Sequence, residues 1–243
     1  LSVNDAVLTT SQTPGLPETI SLSPGSAIVT SNSGTDPGAD VQLIASNVQM
    51  DGASISSVTM GDGPGANVTI QGRTGVGSAA DTVTLSNGSS ISAFGFGAGQ
   101  AGDIAAISPA LTMRDASFIA TASFGDGNAG NIMLNVGALD LANASIQSIA
   151  FAGGRGGDIG ITSNGFTTNS YTISDGGFVS TDAFGVGSAG NITLNAGSLT
   201  LNTGEIHTAT GDAGSAGNIS ITTTGEISLL AGSGFSRISS FST

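Results

Sequence analysis

The chain lacks cysteine, tryptophan and lysine, and it carries four arginines and one histidine among 243 residues. Without cysteine it has neither disulfides nor thiolate metal ligands. Nucleic acids and anionic membranes are bound by clustered lysine and arginine, and such clusters are missing here. Seventeen acidic residues bring the net charge to −13. The sequence therefore predicts no nucleic-acid partner.

Long apolar runs are also missing. No stretch approaches the roughly 18 consecutive apolar residues of a membrane helix, so we expect no membrane span. The residues from Leu1 onward do not form the charged and apolar regions of a signal peptide, and we expect the sequence to be that of a mature or trimmed product. The low charged fraction, 9%, is not that of a chain kept disordered by its charge.

Glycine is abundant, with 39 residues, and part of it forms a recurring motif. The pattern G-x-G-x-x-G occurs at residues 97–102, 125–130 and 185–190. A dinucleotide-binding fold uses this pattern once, where a strand turns into a helix whose N-terminus holds the pyrophosphate. The residues after each copy are rich in Gly, Ser, Thr and Asn, which are poor helix formers. The motif therefore indicates a structural repeat.

An Asn or Asp that follows each glycine-rich turn marks the repeat. Successive markers are 27, 36, 28, 27, 33 and 27 residues apart, so the base period is about 27 with two insertions. The insertions fall at residues 71–80 and 162–170, between the first and second apolar runs of their units. The marker residues are Asp40, Asn67, Asp103, Asn131, Asp158, Asn191 and Asn218.

Within a unit, apolar residues alternate with polar ones, which is the period of a β-strand. Residues 191–210 show it best and predict three short strands. Three strands every 27 residues predict an all-β parallel β-solenoid of about seven coils across residues 36–243, with coils about 4.8 Å apart. Residues 1–35 are predicted to form an N-terminal cap or partial coil, with a possible strand at 6–10 and half a coil at 20–30.

Equivalent positions in successive coils carry matching side chains, which predicts the core. Second-strand pairs are Val48/Met50, Val83/Leu85, Leu111/Met113, Leu139/Leu141, Tyr171/Ile173, Leu199/Leu201 and Ile227/Leu229. The predicted third-strand column is Ile55, Ile91, Phe118, Ile146, Phe178 and Ile206, closed by Phe235 or Ile238. A further column, Met60, Phe96, Phe124, Phe151, Phe184 and Phe241, assigns most of the phenylalanines to the core.

Three polar patterns allow either a structural or a binding role. The Asn/Asp markers are expected to cap turns by hydrogen bonding, or else to form a file of divalent-cation sites. The loop acids Asp62, Asp126 and Asp212 suit turns, or a weak surface calcium site. An outward, mostly hydroxyl-bearing column is typical of a solvated strand, or of a flat ligand platform. That column is Gln49, Thr84, Thr112, Asp140, Thr172, Thr200 and Ser228.

The repeats at residues 125–141 and 185–201, of the form G-x-G-x-A-G-N-I-x-L-x-x-G-x-L-x-L, resemble those of bacterial secreted proteins of the filamentous haemagglutinin type. This resemblance covers residues 36–243. It implies a right-handed parallel β-helix, an extracellular or cell-surface location, and an adhesive or scaffolding role without a catalytic centre. The Asn-Pro-Asn-type motifs of that family's secretion domain are not recognisable in residues 1–35.

Two function classes follow. The first is a non-enzymatic structural or adhesive rod, which would bind a host or matrix surface or stack head to tail into a filament through open coil ends. The alternative is a polysaccharide lyase or hydrolase, because such enzymes also use parallel β-helices. No acid, Arg and His cluster is apparent near His207, which is expected to be a solvated strand residue. The sequence thus predicts no catalytic, cofactor-binding or metal-binding residues.

Overall fold

A computed structural model describes residues 6–9, 18–232 and 234–242. Within these residues the chain forms 22 strands and no helix. Neighbouring strands pair in parallel and make one 14-stranded and one 8-stranded sheet. The chain winds as a parallel β-solenoid of about eight turns, about 28 residues apart, which confirms the predicted fold class.

Each turn contributes a first, a second and a third strand. The first strands are β1 (Ala6–Thr9), β4 (Val41–Ile44), β7 (Val68–Gln71), β10 (Ile104–Arg114), β12 (Ile132–Ala142), β14 (Ile159–Thr162), β17 (Ile192–Ala196) and β20 (Ile219–Thr223). The second strands are β2 (Thr19–Leu22), β5 (Asn47–Asp51), β8 (Thr82–Ser86), β15 (Ser170–Ser174), β18 (Ser198–Asn202) and β21 (Ile227–Leu230). The third strands are β3 (Ala27–Asn32), β6 (Ser54–Thr59), β9 (Ser90–Gly95), β11 (Phe118–Ser123), β13 (Ser145–Ala150), β16 (Phe178–Ala183), β19 (Glu205–Thr210) and β22 (Arg237–Ser242).

Two strands are longer than expected. β10 and β12 each run for 11 residues through both the first and the second strand positions, and so join these strands into a single sheet. Both predicted insertions lie between first and second strands, from β7 to β8 and from β14 to β15. The third strands form the separate 8-stranded sheet. The coil therefore has two sheets whose inner faces enclose the core.

Strands β1, β2 and β3 pair with β4, β5 and β6 and supply the turn beyond the seven coils expected from residue 36 onward. The boundary at residue 35 stays a prediction. Residues 1–5 and 10–17, with the prolines that suggest a cap, lie outside the described residues.

The core consists of Ile, Leu, Val, Met and Ala, with Tyr171 as its largest side chain. The second-strand pairs from Val48/Met50 to Leu199/Leu201 are buried as predicted. Ile227 and Leu229 keep the predicted register but are 44% and 49% exposed. The assignment of phenylalanine to the core was wrong, since all ten are half-buried or exposed.

The third-strand column differs from the prediction at two turns. Ile119 pairs with Ile91 and Ile146, and Val179 pairs with Ile146 and Ile206, so these β-branched residues point inward. Phe118 and Phe178, one residue earlier, point outward and are half-buried. The last member is Ile238, which pairs with Ile206. In each pair of adjacent apolar residues, the sequence allowed either residue to point inward. The interior of the coil is narrow, so the smaller side chain occupies it.

A second inward column of the third strands is polar and was not predicted. Thr121, Thr181 and Thr208 are fully buried. Their hydroxyls donate to the carbonyl oxygens of Gly130 (2.6 Å), Gly190 (2.5 Å) and Gly217 (2.8 Å), each nine residues later. Because a buried hydroxyl without a partner is costly, these bonds tie the third strand to the glycine-rich turn after it.

Candidate functional site

The G-x-G-x-x-G motif forms a wall of stacked backbone. A Cβ atom on Gly97, Gly99 or Gly102 would meet the carbonyl oxygen of Gly61, Gly63 or Ala66 in the turn before, far inside contact distance. The other two copies of the motif show the same close approach. All three glycines of the motif are therefore needed for turn-to-turn packing. No helix follows any copy, so the motif provides no pyrophosphate site.

The Asn/Asp markers form a ladder of turn caps, in agreement with the structural interpretation. Oδ1 of Asp103 accepts a hydrogen bond from the backbone N–H of Asn131 (2.7 Å), one turn later. Oδ1 of Asn131 accepts in turn from the N–H of Asp158 (2.9 Å). The same bond joins every successive pair from Asp40 to Asn218. The position needs an acceptor, which explains why each marker is either Asn or Asp.

The loop acids do not come together. Asp62 and Asp126 lie next to Met60 and Phe124 of different turns, and the turn between them has Ala98. Asp212 accepts from the N–H of Ala213 (2.9 Å), as a turn residue does. Within residues 6–9, 18–232 and 234–242, no three His, Asp or Glu side chains are grouped to hold a metal ion. Weak calcium binding stays a prediction.

The outward second-strand column has the predicted register from Gln49 to Ser228. Its neighbouring first-strand column has Met133 and Thr193 on either side of Gly160. A depression of about 490 Å³ lies over these residues, and the sulfur of Met133 covers Gly160 at its edge. The 14-stranded sheet thus presents a mostly polar outer surface with one notch.

Charged groups surround His207, contrary to the sequence-based expectation. Its Nε2 lies 3.4 Å from Oδ1 of Asp182, and its Nδ1 lies 3.1 Å from Oε1 of Glu205. Arg237, from the next turn, donates from Nε to Oε1 of Glu205 (2.9 Å). The ring lies between Phe178 and Phe241, with centroids 6.3 and 6.5 Å away. Its side chain is 19% exposed, so the imidazole is packed rather than freely solvated.

Opposing effects set the charge of this imidazole. Burial lowers the pKa of His207, and the hydrogen bond and charge of Asp182 with the charge of Glu205 raise it. Arg237 lowers it again, and the net pKa lies above 6.5. Ser180 Oγ donates to Asp182 Oδ2 (3.0 Å), so its proton is directed at the carboxylate rather than at His207. The group is arranged as an ion-pair cluster and not as a Ser-His-Asp nucleophile.

Little in the sequence indicates this cluster. Asp182, His207 and Arg237 are separated by about one turn each, and Asp182 occupies the same outward column as Ile149 and Ala209. Only the pairing register shows that Asp182 contacts His207 and that Glu205 contacts both His207 and Arg237. The signal that could have identified the cluster is a set of charged residues about one turn apart in sequence, each at an outward-pointing strand position.

An apolar ladder runs along the outside of the solenoid, where the third strands end. It consists of Met60, Phe96, Phe124, Phe151 and Phe184, which are 42–59% exposed. Successive phenylalanine rings stack with centroids 4.8, 4.8 and 5.5 Å apart and planes within 23°. Because each ring covers the face of the next, the ladder shows mainly ring edges to solvent. Phe94 packs edge-on against Phe124 at 6.0 Å.

Strand parity explains why the ladder lies outside. Ile91, Ala93 and Gly95 of β9 point inward, so Phe96, an odd number of residues from Ile91, points outward. The same offset of five separates Ile119 from Phe124 and Ile146 from Phe151. Phe241 does not belong to the ladder, because it pairs with Ala209 within β22. The parity was present in the sequence, but hydrophobicity alone favoured the core.

No known protein family, curated protein or solved structure matches this chain. The resemblance to filamentous haemagglutinin-type repeats therefore stays a prediction. In the part of the chain that the structure describes, no helix has the length and apolar character needed to cross a bilayer.

Proposed function

We propose that this chain is a non-enzymatic structural and adhesive solenoid that acts outside the cell or on a bacterial surface. One observation carries the proposal: its outer columns continue from turn to turn, so the surface is repeated along the axis instead of converging on one cleft. A repeated surface suits binding to an extended or multivalent partner. The filamentous haemagglutinin resemblance supports the same role and location.

The first test is negative-stain electron microscopy of the purified chain over a range of concentrations. Eight turns at about 4.8 Å predict rods of roughly 40 Å, and long uniform fibres if copies also stack end to end. Ile227, Leu229 and Leu230 expose apolar surface at the last turn, which another copy or a further stretch of chain would cover. Irregular aggregates of variable width would contradict end-to-end stacking.

Adhesion is tested with beads coated with the chain, whose retention on cell, matrix and abiotic surfaces is compared with that of albumin-coated beads. We expect retention on at least one surface class to exceed the albumin level several-fold. The variant Phe124→Ser, Phe151→Ser removes apolar surface from one face, and Met133→Ser removes it from the other sheet. Comparing bead retention between these two variants shows which face binds the surface. Retention at the albumin level on every surface would remove the adhesive part of the proposal.

The cluster around His207 is the observation that favours the second candidate, a polysaccharide lyase or hydrolase. It brings two carboxylates, an imidazole and a guanidinium together, which are the groups such enzymes use. Assays for unsaturated uronate products and for new reducing ends, on acidic and neutral polysaccharides, decide the matter. If the wild type shows turnover and both His207→Ala and Asp182→Asn abolish it, the enzymatic function replaces the structural proposal. We expect none.

A further inference from the structure

The rings of the apolar ladder stack between turns, but this stacking leaves the outer edges of the side chains in solvent. About half of each side chain is exposed, although the turn before Met60 has an exposed serine, Ser33, at the equivalent position. A fully exposed side chain of this size presents about 200 Å², so the five members leave roughly 500 Å² of contiguous apolar surface. The largest apolar patch on a typical monomer measures about 300–600 Å² and is often functional, so a patch of this size is a candidate interaction site.

We propose that the ladder pairs two copies of this chain side by side, as an isologous and antiparallel dimer. This goes beyond the proposed function and does not depend on it. A two-fold axis at right angles to the rod, close to Phe124, would bring Met60 of one copy opposite Phe184 of the other. Every ladder residue would then contact the ladder of the second copy.

Area and spacing favour a second copy as the occupant. Two ladders would bury roughly 1,000 Å² together, which is the lower limit for a specific interface. The ring centroids repeat every 4.8–5.5 Å, and a second copy has the same repeat, so the ring edges of the two copies meet opposite one another along the whole length. Matching rows of side chains that meet in this way exclude water from between two sheets.

Charge sets the conditions for pairing. The outward column beside the ladder is uncharged at Val58, Phe94, Ala122 and Ile149, and its next member, Asp182 beside Phe184, is buried with its carboxylate against His207. On the other side Asp62 and Asp126 are exposed. The two-fold axis brings Asp126 close to its own copy, and this repulsion weakens as salt is added. The dimer is therefore expected to strengthen with ionic strength.

The test is analytical ultracentrifugation of the whole chain from about 1 to about 200 µM, a range that brackets the affinity of a small interface. We expect a monomer–dimer equilibrium in the wild type. The double variant Phe124→Ser, Phe151→Ser should weaken it at least tenfold, and Met133→Ser, an equally exposed apolar residue on the other sheet, should not change it. A monomeric wild type at the highest concentration and salt would overturn the proposal.

Two further variants keep the test decisive if the double variant folds poorly. Asp126→Asn removes the repulsion at the axis and should tighten the dimer several-fold at low salt. Leu229→Ser disrupts only the exposed last turn, so it should leave the dimer intact. Loss of association in Leu229→Ser with normal association in the ladder variant would assign self-association to end stacking and overturn the lateral dimer.

The chain has no cysteine, so introduced ones report the orientation directly. Met60→Cys and Phe184→Cys proteins, mixed under mild oxidation, should form mostly the mixed disulfide. Each protein alone should cross-link poorly, because an antiparallel pair places equal ladder ends far apart. Preferential cross-linking of like with like would overturn the antiparallel arrangement.

Discussion

At the scale of the residue, Tyr171 is a polar group in an otherwise apolar layer. It is 1% exposed, and its hydroxyl lies 3.2 Å from the carbonyl oxygen of Val136 and 3.1 Å from that of Asn195. Burial raises its pKa to about 12, although a hydrogen bond with Ser163 lowers it. The neutral phenol is therefore strongly favoured in the folded chain.

This pKa makes folding sensitive to alkali. Since the folded pKa exceeds the unfolded value of 10.0, the stabilisation is complete below pH 10 and is lost as the pH rises towards 12. The loss amounts to at most about 3 kcal/mol. Because the chain has a single tyrosine and no tryptophan, ultraviolet absorbance titrates this residue alone. A titration midpoint near that of free tyrosine would contradict the prediction, and Tyr171→Phe should lack the alkaline loss.

His207 predicts a pH dependence in the neutral range. Its folded pKa lies above 6.5, so its stabilisation is complete below that value and is lost as the pH rises through the folded pKa. Asp182, Glu205 and Arg237 face the ring. The difference between the thermal melts of wild type and His207→Gln should be largest below pH 6.5 and should shrink as the pH rises through the folded pKa. A difference that grows with pH would mean that the neutral imidazole is preferred.

Ala116 has a backbone conformation that suits glycine. Its φ is 60°, in the left-handed region, and the corresponding turns have Gly88 and Gly176 with φ of 74° and 80°. An L-residue with a side chain is strained there by about 1–2 kcal/mol. We expect Ala116→Gly to raise the free energy of unfolding by about 0.5–1 kcal/mol after the entropy cost of glycine. Ala142→Gly, within β12, is the control and should destabilise the chain.

At the scale of the element, the glycine wall limits what the turns accept. Gly127 lies so close to the carbonyl oxygen of Gly99 that a Cβ cannot fit, whereas the nearest atoms to a Cβ on Gly211 are 3.7 Å away. Gly127→Ala should therefore destabilise the chain by about 1–3 kcal/mol, the usual cost of overpacking. Gly211→Ala should change stability by less than about 0.5 kcal/mol. Equal effects of the two, measured by denaturant unfolding, would show that the turn can widen.

The sequence period made the strands predictable. The alternation of residues within a strand predicted only in part which side chains point inward. A period of 27 with alternating apolar residues places Val48, Met50 and Ile55 correctly, because each neighbour along the column repeats the pattern. It fails at Phe118–Ile119, where two adjacent apolar residues compete for one inward position. The width of the coil interior determines which of the two residues points inward, and that width cannot be read from the sequence.

The candidate sites were harder to predict than the strands. The marker caps from Asp40 to Asn218 follow from residue type, since both Asn and Asp supply an acceptor at a fixed place in each turn. The His207 cluster and the apolar ladder arise from neighbours one turn apart, and their members are ordinary residues individually. Their chemistry exists only after the register is known.

At the scale of the whole molecule, 17 acidic residues outnumber four arginines, which leaves a net charge of −13. Self-repulsion of this size destabilises the compact state and is screened by salt. The melting temperature should therefore rise by several degrees between about 0.01 and 0.3 M NaCl, a range over which the screening length falls severalfold. Calcium chloride at matched ionic strength is the informative control. A rise beyond that of NaCl would support the weak calcium sites suggested by Asp62, Asp126 and Asp212, and no rise in either salt would contradict the repulsion.

The ladder of marker caps also has a direction. Each marker side chain from Asp40 to Asn191 supplies the acceptor for a backbone N–H one turn later. A finished coil thus offers a template, and the next coil completes its own turn on it. A chain that emerges gradually from its amino end always meets that template already in place. If the coils formed from the carboxyl end, the marker N–H of each new coil would have no acceptor until the preceding coil formed.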